Sequence, residues 1–501
     1  MTTEVTQRPA TPVSYGFARR AGVAFRPGED AAVLLRAGAD PLGLIEVHRV
    51  APGRHRIIEC DAASFDRALS DIYAYDGLGA DQIEADADDD SLSRLIDEMP
   101  QTADLLDSNS DAPIIRLING MIAEAVRKAA SDVHVEPFED RVSIRYRTDG
   151  VLQEAVSLSP KLASPLVSRI KVMARLDIAE KRVPQDGRLT ISLGGKAIDV
   201  RVSTLPSRHG ERVVLRLLDN SQGRFRLDDL GMPAPVLHDL RQALAQPNGI
   251  ILVTGPTGSG KTTTLYAGLT ALNDETRNIL TVEDPVEYAV DGIGQTQVNA
   301  KVGMTFAAGL RAILRQDPDI VMVGEIRDTE TAQIAVQASL TGHLVLSTVH
   351  TNSAVAAIAR LRDMGVESYL LASTLSAIIA QRLVRRLCGH CREPYAPDAN
   401  EREILGLSET TEATLYRPRG CSHCKQGGYD GRTGVYEAIV VDDAIRKLIH
   451  DDARDSDMAA IAFARRKTLF QNGVDLVLAG TTSVAELLRV CREEGERHAG
   501  V

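Results

Sequence analysis

The sequence contains no tryptophan, and aromatic residues make up only 4% of its 501 positions. Its cores must therefore be built mainly from Leu, Val, Ile and Ala, and it offers few aromatic rings on which bases of single-stranded nucleic acid could stack. Acidic residues (69) outnumber basic residues (57), and the formal charge of −12 also disfavours a general binder of phosphate backbones. The length, with 44% apolar residues, predicts a globular protein of several domains.

Long apolar runs are also missing. No segment approaches the roughly 18 apolar residues of a membrane span, and the amino-terminal segment lacks the apolar stretch of a signal peptide. We therefore expect a cytoplasmic chain that contacts a membrane only indirectly, through partners. Cysteine is scarce too, but four of the six cysteines form two C-x-x-C pairs, which in a reducing compartment favour metal binding over disulfides.

The first half of the chain is predicted to contain two domains and a linker. Short apolar runs with Gly and Pro indicate a small domain at residues 1–78. The acidic, weakly hydrophobic residues 79–112 indicate a flexible linker, with a solvated acidic helix as the alternative. Residues 113–222 switch between helical and period-two spacing and predict an α+β domain.

The second half of the chain has a different pattern. In residues 227–385, apolar strands alternate with segments of helix length, which predicts a parallel α/β sheet with helices on its faces. We expect a cysteine-containing subdomain at residues 386–436 and a helical region at residues 437–501.

A glycine-rich motif lies at the start of the α/β segment. The residues GPTGSGKT follow the strand-like run IILVT and precede the helix-like TTTLYAGLTALN, which is the context that G-x-x-x-x-G-K-[ST] requires. In such a motif the backbone N–H groups bind phosphates, the lysine contacts the β- and γ-phosphates, and the hydroxyl that follows ligates Mg²⁺. These roles predict an ATP and Mg²⁺ site, with Thr262 as the magnesium ligand. The predicted nucleotide-binding residues are Gly255, Pro256, Thr257, Gly258, Ser259, Gly260, Lys261, Thr262 and Thr263.

Acidic residues follow two other predicted strands at the same edge of the sheet. In IVMVGEIRD the strand ends at Glu325, where an ordinary Walker B strand ends in Asp. A carboxylate there can hold Mg²⁺ through water or polarise the attacking water; a solvated strand-end Glu is the alternative. In TVEDPVEY, Glu283 follows a strand together with Asp284 and Glu287, and a charged turn is the alternative.

A histidine ends the fourth strand-like run, TGHLVLSTVHTN. His350 falls at the same edge as Lys261, Glu283 and Glu325, which favours a functional role over that of a structural histidine. His343 lies at the opposite end of this strand, and its role stays open.

Two cysteine pairs, CGHC and CSHC, predict a metal site. The 29 residues between them exceed the usual spacing of about 15–20. Four thiolates nevertheless form a closed tetrahedral zinc site, which stabilises a fold and has no position for hydrolysis. His390 and His423 are alternative ligands, and a redox dithiol or unliganded buried thiols are alternative states. The predicted zinc ligands are Cys388, Cys391, Cys421 and Cys424.

As an ordered set, these motifs resemble the secretion ATPase superfamily, and in particular the type II secretion ATPases of the general secretion pathway protein E family. The likeness includes GPTGSGKT, TVEDPVEY, DPDIVMVGEIRD and TGHLVLSTVHTN, with SDVHVEP, RYRTDG, VPQDGR and DVRVSTLP upstream, and it extends over residues 113–490. It implies an α/β fold: a P-loop NTPase core of RecA-like type, a preceding PAS-like α+β domain, a small amino-terminal domain and a tetracysteine zinc subdomain.

The resemblance also implies an activity and partners. It implies a homo-hexameric ring, peripheral to the inner membrane, that converts ATP hydrolysis into work on platform proteins, the L and F components of type II secretion. That work assembles a pseudopilus and exports folded proteins. Arginines are implied at the phosphate site, in cis or from a neighbouring subunit, and surface ion pairs are the alternative for each. The candidate catalytic residues are Lys261, Glu283, Glu325, His350, Arg201, Arg216, Arg315 and Arg327.

Three other functions compete with this one. A type IV pilus assembly ATPase shares the core motifs, but usually has a longer leader than the segment that precedes Pro113 here. The tetracysteine insertion is typical of assembly and export members and not of retraction motors. A nucleotide-gated scaffold without turnover would lack a carboxylate or an arginine, and a nucleic-acid translocase is disfavoured by the acidic charge.

Overall fold

The computed structural model describes residues 13, 15–26, 31–53, 55–61, 64, 65, 68, 69, 72, 112–193, 196–218 and 226–495. The chain divides into two compact units, Met1–Asn220 and Ser221–Val501. The acidic segment predicted as a linker, residues 79–112, lies outside the described residues except for its last position. The domain limits predicted above stay predictions.

The first unit begins with a small three-stranded sheet of order β1-β2-β3. β1 and β2 are antiparallel, whereas β2 and β3 are parallel and are connected through a helix. That helix begins after Asp40, whose carboxylate accepts a hydrogen bond from the Leu42 N–H. The elements are α1 (Tyr15–Ala21), β1 (Val23–Arg26), β2 (Ala32–Arg36), α2 (Pro41–Val50) and β3 (Arg56–Cys60).

The first unit continues with a six-stranded antiparallel sheet of order β6-β5-β4-β9-β8-β7. Alternate strand residues such as Val133, Ile144 and Leu215 are buried with residues of two helices, which explains the period-two pattern. The helices are α3 (Ala112–Arg127) and α4 (Ala163–Met173). The strands are β4 (Ala130–Pro137), β5 (Val142–Thr148), β6 (Val151–Leu158), β7 (Gln185–Leu193), β8 (Lys196–Ser207) and β9 (Gly210–Leu218).

The second unit is built on a seven-stranded sheet of order β12-β11-β13-β14-β10-β15-β18. Neighbouring strands are parallel except β15 and β18, which are antiparallel. The prediction of a parallel α/β sheet is confirmed, with one antiparallel edge strand added. The strands are β10 (Gly249–Thr254), β11 (Ile279–Glu283), β12 (Gly294–Gln297), β13 (Ile320–Val323), β14 (Leu344–Val349), β15 (Leu375–Leu387) and β18 (Tyr429–Val440).

Three central strands, β10, β13 and β14, are buried along their whole length, as expected of parallel strands covered on both faces. Short polar side chains start several of the covering helices; the Asp328 carboxylate, for example, accepts a hydrogen bond from the Thr331 N–H at 2.8 Å. The helices before the cysteine pairs are α5 (Ala234–Leu244), α6 (Lys261–Leu272), α7 (Phe306–Ile313), α8 (Thr329–Leu340), α9 (Ala354–Asp363) and α10 (Ser368–Thr374).

An insertion between β15 and β18 contains both cysteine pairs. It includes β16 (Glu393–Tyr395) and β17 (Leu415–Arg417), which form a two-stranded sheet, and the short helix α11 (Ala399–Ile404). Among the described residues, four helices follow β18: α12 (Asp443–His450), α13 (Asp455–Ala462), α14 (Leu469–Leu478) and α15 (Val484–Gly495). Among the helices of the described residues, none combines the length and the apolar character that crossing a bilayer requires.

Candidate nucleotide site and cysteine cluster

The glycine-rich loop, residues 255–260, connects β10 to α6 at the carboxyl edge of the second unit's sheet. Gly255, Gly258 and Gly260 have φ angles of 149°, 77° and 88°, a region that favours glycine. A Cβ atom at Gly255 would lie 2.4 Å from the main-chain oxygen of Gln381 on β15. The loop can therefore rest against β15 only because this position has no side chain.

Lys261 is the first residue of α6, and its side chain turns back toward the glycine-rich loop. Its Nζ donates hydrogen bonds to the carbonyl oxygens of Gly255 (2.9 Å) and Pro256 (3.0 Å). Burial lowers the pKa of Lys261 to about 8; Glu325 opposes this shift, and Arg382 adds to it. A buried ammonium group at a helix amino-terminus is an electrostatic site for phosphate.

The other residues of the motif differ in exposure. Pro256, Thr257 and Thr262 are exposed, Thr263 is half-buried and Ser259 is buried. An exposed hydroxyl in the first turn of α6 is accessible to a hard cation, so Thr262 fits the role of a Mg²⁺ ligand.

Glu325 lies two residues after the end of β13, beside Arg327 and His350. Its carboxylate forms an ion pair with Arg327, and its Oε2 lies 3.4 Å from His350 Nε2. The Glu325 side chain is 12% exposed and the His350 side chain 48% exposed. Glu325 also interacts electrostatically with Lys261. The structure thus brings together four predicted site residues: Lys261, Glu325, Arg327 and His350.

The end of β14 positions His350. The Thr348 hydroxyl donates to the Gly324 carbonyl at 2.8 Å, which ties β14 to the residue before Glu325. The pKa of His350 is lowered by burial and by the positive charge of Lys261, which outweigh the raising effect of Glu325. The imidazole is therefore mainly neutral at pH 7. His343, at the opposite end of the strand, instead contacts the Ala338 carbonyl near the end of α8. This contact is typical of a structural histidine.

Glu283, at the end of β11, lies in a separate buried hydrogen-bond network. Its Oε2 accepts a hydrogen bond from the Tyr266 hydroxyl, and its Oε1 accepts from Thr281 Oγ1 and Gln295 Nε2. The Tyr266 ring also stacks on Tyr288, with 4.4 Å between ring centroids. Burial and the neighbouring Glu283 raise the pKa of Tyr266, so its phenol stays a donor. The structure thus places Glu283 among neutral donors, and not in contact with Lys261.

Arg201 and Arg216 lie in the first unit, directly opposite each other on β8 and β9. Arg188 on β7 lies opposite Arg201. On the other side of the row, Asp132 on β4 lies opposite Arg216, and Arg147 on β5 lies opposite Asp132. Residues opposite each other in a sheet share a face, so this arginine row presents four guanidinium groups on one side. The Asp132 carboxylate accepts a hydrogen bond from Arg216 Nε at 2.9 Å. The strand register thus adds three residues to those predicted from the sequence: Arg188, Arg147 and Asp132.

Arg315 lies elsewhere in the second unit. It follows α7, is exposed, and donates to the Arg311 carbonyl at 2.8 Å. It also precedes the amino end of β13, whereas the glycine-rich loop follows the carboxyl end of β10. Because β13 and β10 belong to the parallel part of the sheet, the amino end of β13 and the carboxyl end of β10 lie at opposite edges. The structure therefore does not bring Arg315 to Lys261 within this unit.

Two functional candidates on β15 were missed by the sequence reasoning. Gln381 Nε2 donates to the Ser259 carbonyl, and Arg382, 8% exposed, donates to the Asn352 carbonyl at 2.8 Å, two residues after His350. The sequence signal that could have identified them is the polar pair Gln381–Arg382 inside the apolar run AIIAQRLV. A buried strand accommodates such a pair only when its polar groups are bonded.

The four predicted zinc ligands form a compact group, here called the cysteine cluster. Their sulfur atoms all lie within 4.8 Å of one another. Three separations are 3.9 Å for Cys388–Cys421, 3.7 Å for Cys391–Cys424 and 3.7 Å for Cys421–Cys424. Four sulfurs at about 2.3 Å from a tetrahedral zinc ion would lie about 3.8 Å apart. The sulfur positions therefore fit zinc.

Backbone amides support thiolate chemistry in the cysteine cluster. The N–H groups of Cys421 and Gly428 donate to Cys424 Sγ at 3.3 and 3.1 Å. Burial raises the pKa of Cys424, but these amides, together with side-chain hydrogen bonds to Cys391 and Cys421, outweigh it and lower the pKa to about 7. The Cys388 N–H donates to the Gly428 carbonyl at 3.0 Å, joining the two cysteine pairs where β15 ends and β18 begins. The two histidines of the pairs contact each other, with 4.2 Å between ring centroids.

Comparison with known proteins identifies relatives over nearly the whole chain. The family described as "Type II/IV secretion system protein" matches residues 107–489, and a domain family of "GSPII protein E" matches the amino-terminal residues 12–73. The chain is 54% identical over 484 residues to "Type II secretion system ATPase E" of Vibrio cholerae, a stretch that covers 96% of each chain.

Solved structures share the fold. The ATPase DotB of Legionella pneumophila is 22% identical with a TM-score of 0.56, and the similarity covers 74% of this chain and 94% of DotB. The pilus retraction motor PilT, solved with bound ADP, is 26% identical with a TM-score of 0.52, covering 74% of this chain and 96% of PilT. Together with the small amino-terminal domain and the cysteine cluster, these similarities confirm the predicted α/β fold class.

Proposed function

The chain belongs to the Type II/IV secretion system protein family, and on that premise we propose how its residues carry out the work of a type II secretion ATPase. It is an ATP hydrolase of the type II secretion kind, since the relative that is 54% identical is a type II secretion ATPase. The match of residues 12–73 to a domain of GSPII protein E favours this pathway over the pilus assembly ATPase that shares the core motifs.

ATP binding is assigned to the glycine-rich loop and the start of α6. The backbone N–H groups of residues 255–263 would surround the phosphates, and Lys261 would exchange its two carbonyl partners for phosphate oxygens. The Thr262 hydroxyl would hold Mg²⁺, which supplies neutralisation of the β- and γ-phosphate charge when bound. The exposure of Thr262 and the burial of Lys261 support this division of roles.

Glu325 is assigned to the attacking water. Water adds to the γ-phosphorus, the bond from that phosphorus to the bridging oxygen breaks, and the products are ADP and phosphate. Glu325 orients the water and accepts its proton, while Arg327 moves from the Glu325 carboxylate to the developing negative charge. His350, largely neutral at pH 7, contacts Glu325 and would report the presence of the γ-phosphate to β14.

Glu283 is assigned a supporting role in the same reaction. Both of its oxygens accept hydrogen bonds from Tyr266, Thr281 and Gln295, so it would reach Mg²⁺ or water only after a rearrangement of this network. Its neighbour Asp284 acts electrostatically on Arg327, which links β11 to the group around Glu325.

Three arginines are assigned to charge stabilisation from outside the glycine-rich loop. Arg201 and Arg216 belong to the arginine row of the first unit, and Arg315 lies at the sheet edge opposite Lys261. We propose that Arg201 and Arg216 stabilise phosphate charge, in cis or from a neighbouring subunit, and that Arg315 serves a neighbouring subunit of a hexameric ring. A fixed guanidinium group contributes about 10³–10⁵ in rate in other NTPases.

The cysteine cluster is assigned to zinc. Cys388, Cys391, Cys421 and Cys424 would fill all four positions of the ion, so it would stabilise the junction of β15 and β18 and would not take part in hydrolysis. The amides that donate to Cys424 support a thiolate ligand at that position.

The partners and the location follow from the pathway. We propose a cytoplasmic homo-hexamer at the inner membrane, docked through its amino-terminal domain on the L component and acting on the F component of the platform. Its ATP hydrolysis would drive pseudopilus assembly and the export of folded proteins across the outer membrane. The proposal includes no direct membrane contact and no nucleic acid.

The observation that carries the mechanism is the grouping of Lys261, Glu325, Arg327 and His350 at one sheet edge. The test compares phosphate release from ATP and Mg²⁺ by the full chain and by Lys261→Ala. Turnover by the wild type and its loss in Lys261→Ala are expected. Lys467→Ala is the control, because Lys467 is an exposed residue paired with Asp475. Wild-type turnover in Lys261→Ala would refute the assigned site.

A further inference from the structure

One side chain on β15 makes hydrogen bonds to two parts of the nucleotide site. Gln381 is 1% exposed. Its Nε2 donates to the Ser259 carbonyl at 2.7 Å, and its Oε1 accepts a hydrogen bond from Thr264 Oγ1 at 2.8 Å. A buried amide without partners is costly, and here the donor and the acceptor are both used. Gln381 therefore connects the end of the glycine-rich loop to the first turns of α6.

The main chain of Gln381 also contacts this loop. Its carbonyl oxygen lies where a Cβ atom at Gly255 would approach to 2.4 Å, and a Cβ atom at Gly260 would lie 3.2 Å from Gln381 Nε2. One residue of β15 thus lies against both the beginning and the end of the glycine-rich loop. The glycines permit this close approach, and the loop depends on β15 for its position.

The hydrogen bond to Ser259 has a directional consequence. In a trans peptide the C=O and N–H groups point in opposite directions. A donor that holds the Ser259 carbonyl from the side of β15 therefore turns the Gly260 N–H away from β15. In a loop that surrounds phosphates, that N–H is one of the groups that bind them.

We propose that Gln381 is a positioning residue for nucleotide binding and hydrolysis. It holds the Ser259–Gly260 peptide so that the Gly260 N–H faces the phosphates of ADP or ATP, and it ties this peptide to α6 through Thr264. The proposal rests on the assignment of the glycine-rich loop as the nucleotide site.

The decisive variant is Gln381→Glu in the full-length chain. A carboxylate of the same length still accepts from Thr264, but it has no donor for the Ser259 carbonyl and repels that oxygen. Gln381→Met removes both bonds without adding charge, and Thr264→Val removes the bond to α6 while keeping the bond to the Ser259 carbonyl. The matched control is Asn472→Asp, because Asn472 is also buried and donates to a main-chain carbonyl, that of Tyr436, outside the loop.

The readouts are the dissociation constant of a fluorescent ADP, kcat and KM for ATP, and thermal melting of each variant. We expect Gln381→Glu to weaken ADP binding by about tenfold or more at pH 8, Gln381→Met by less, and Thr264→Val by less than about threefold. Lowering the pH should restore the affinity of Gln381→Glu relative to the wild type, because a protonated Glu is again a donor. Burial raises the pKa of a carboxyl group above its usual value of about 4, so the recovery falls in an accessible pH range below 8.

A merely structural role would give a different result. Gln381→Glu and Asn472→Asp would then lose melting temperature together and retain wild-type ADP affinity while folded, and this outcome would overturn the proposal. Wild-type affinity in folded Gln381→Met and Gln381→Glu at every pH would overturn it as well. If the wild type bound ADP but released no phosphate from ATP, the hydrolase mechanism would fail, and the ADP affinities would still decide the role of Gln381.

Discussion

His350 Nε2 lies 3.4 Å from Glu325 Oε2, so the segments that follow β14 and β13 meet through these two side chains. The Thr348 hydroxyl, two residues before His350, donates a hydrogen bond to the carbonyl of Gly324, one residue before Glu325. This bond reinforces the contact. In the proposed mechanism, a change at the γ-phosphate that moves Glu325 would also move His350 and the segment that leads into α9.

Glu325→Gln should separate binding from chemistry. The amide keeps the size of the side chain but cannot accept a proton from water, so kcat should fall by about 10²–10⁴ while ADP affinity stays near that of the wild type. Steady-state phosphate release and fluorescent ADP titration measure the two effects. Glu403→Gln, on the exposed surface of α11, is the control and should retain activity. An active Glu325→Gln would remove Glu325 from the catalytic role.

Nucleotide affinity should decrease as the pH rises above 8. Burial holds the pKa of Lys261 at about 8 in the free protein, and a bound phosphate raises it, so binding takes up a proton above that pH. The affinity for ADP should fall by up to about tenfold per pH unit until the pKa of the bound state is reached. Lys261→Arg, which stays charged, should lose this dependence. Titrations from about pH 7 to about pH 9.5 test it, and a flat wild-type profile would contradict it.

Tyr266→Phe should destabilise the second unit. The substitution keeps the stacking on Tyr288 but removes the hydroxyl that donates to Glu283. Leaving a buried carboxylate short of one donor costs about 1–3 kcal/mol in the free energy of unfolding. Urea unfolding gives that value. Tyr416→Phe is the control: its ring lies under Arg392 and should tolerate the loss of its hydroxyl. Equal stability of the two variants would argue against the network.

Removal of the cysteine cluster should cost both metal and stability. The purified chain should contain about one zinc per chain, and Cys388→Ser with Cys421→Ser should contain none. The melting temperature of the double variant should fall by roughly 4 °C or more, the shift that about 2 kcal/mol produces in a domain of this size. Cys60→Ser changes a cysteine on β3 outside the cluster and should leave the zinc content unchanged. Metal retained by the double variant would show that the sulfurs do not hold it.

The glycine-rich loop and the cysteine cluster were predictable from local spacing. G-x-x-x-x-G-K-[ST] places its glycines at the positive-φ positions of one loop, and Lys261 begins the helix as the motif requires. The C-x-x-C pairs are likewise local, and their meeting required only that β15 and β18 pair with each other. In both cases most of the residues that meet are close together in the sequence.

The contacts of the acidic and basic residues were less predictable. Glu283 ends β11 and Glu325 follows β13 at the same edge, yet one carboxylate is enclosed by neutral donors and the other pairs with Arg327. The motif also could not reveal that Gln381, more than a hundred residues later, supports the Ser259 carbonyl. These differences depend on which strands are neighbours and which faces they share.

By itself, the amino-acid sequence determined the chemistry available to this protein: a glycine-rich loop with its lysine, carboxylates at strand ends, two C-x-x-C motifs and the family to which the chain belongs. Tertiary structure alone decided which of these groups meet, because the order β12-β11-β13-β14-β10-β15-β18 is set by packing between distant segments. It placed β15 beneath the glycine-rich loop, enclosed Glu283, and put Arg315 at the edge opposite Lys261. Local spacing carries no information on such placements, since side chains far apart in the chain become neighbours only when the sheet is complete.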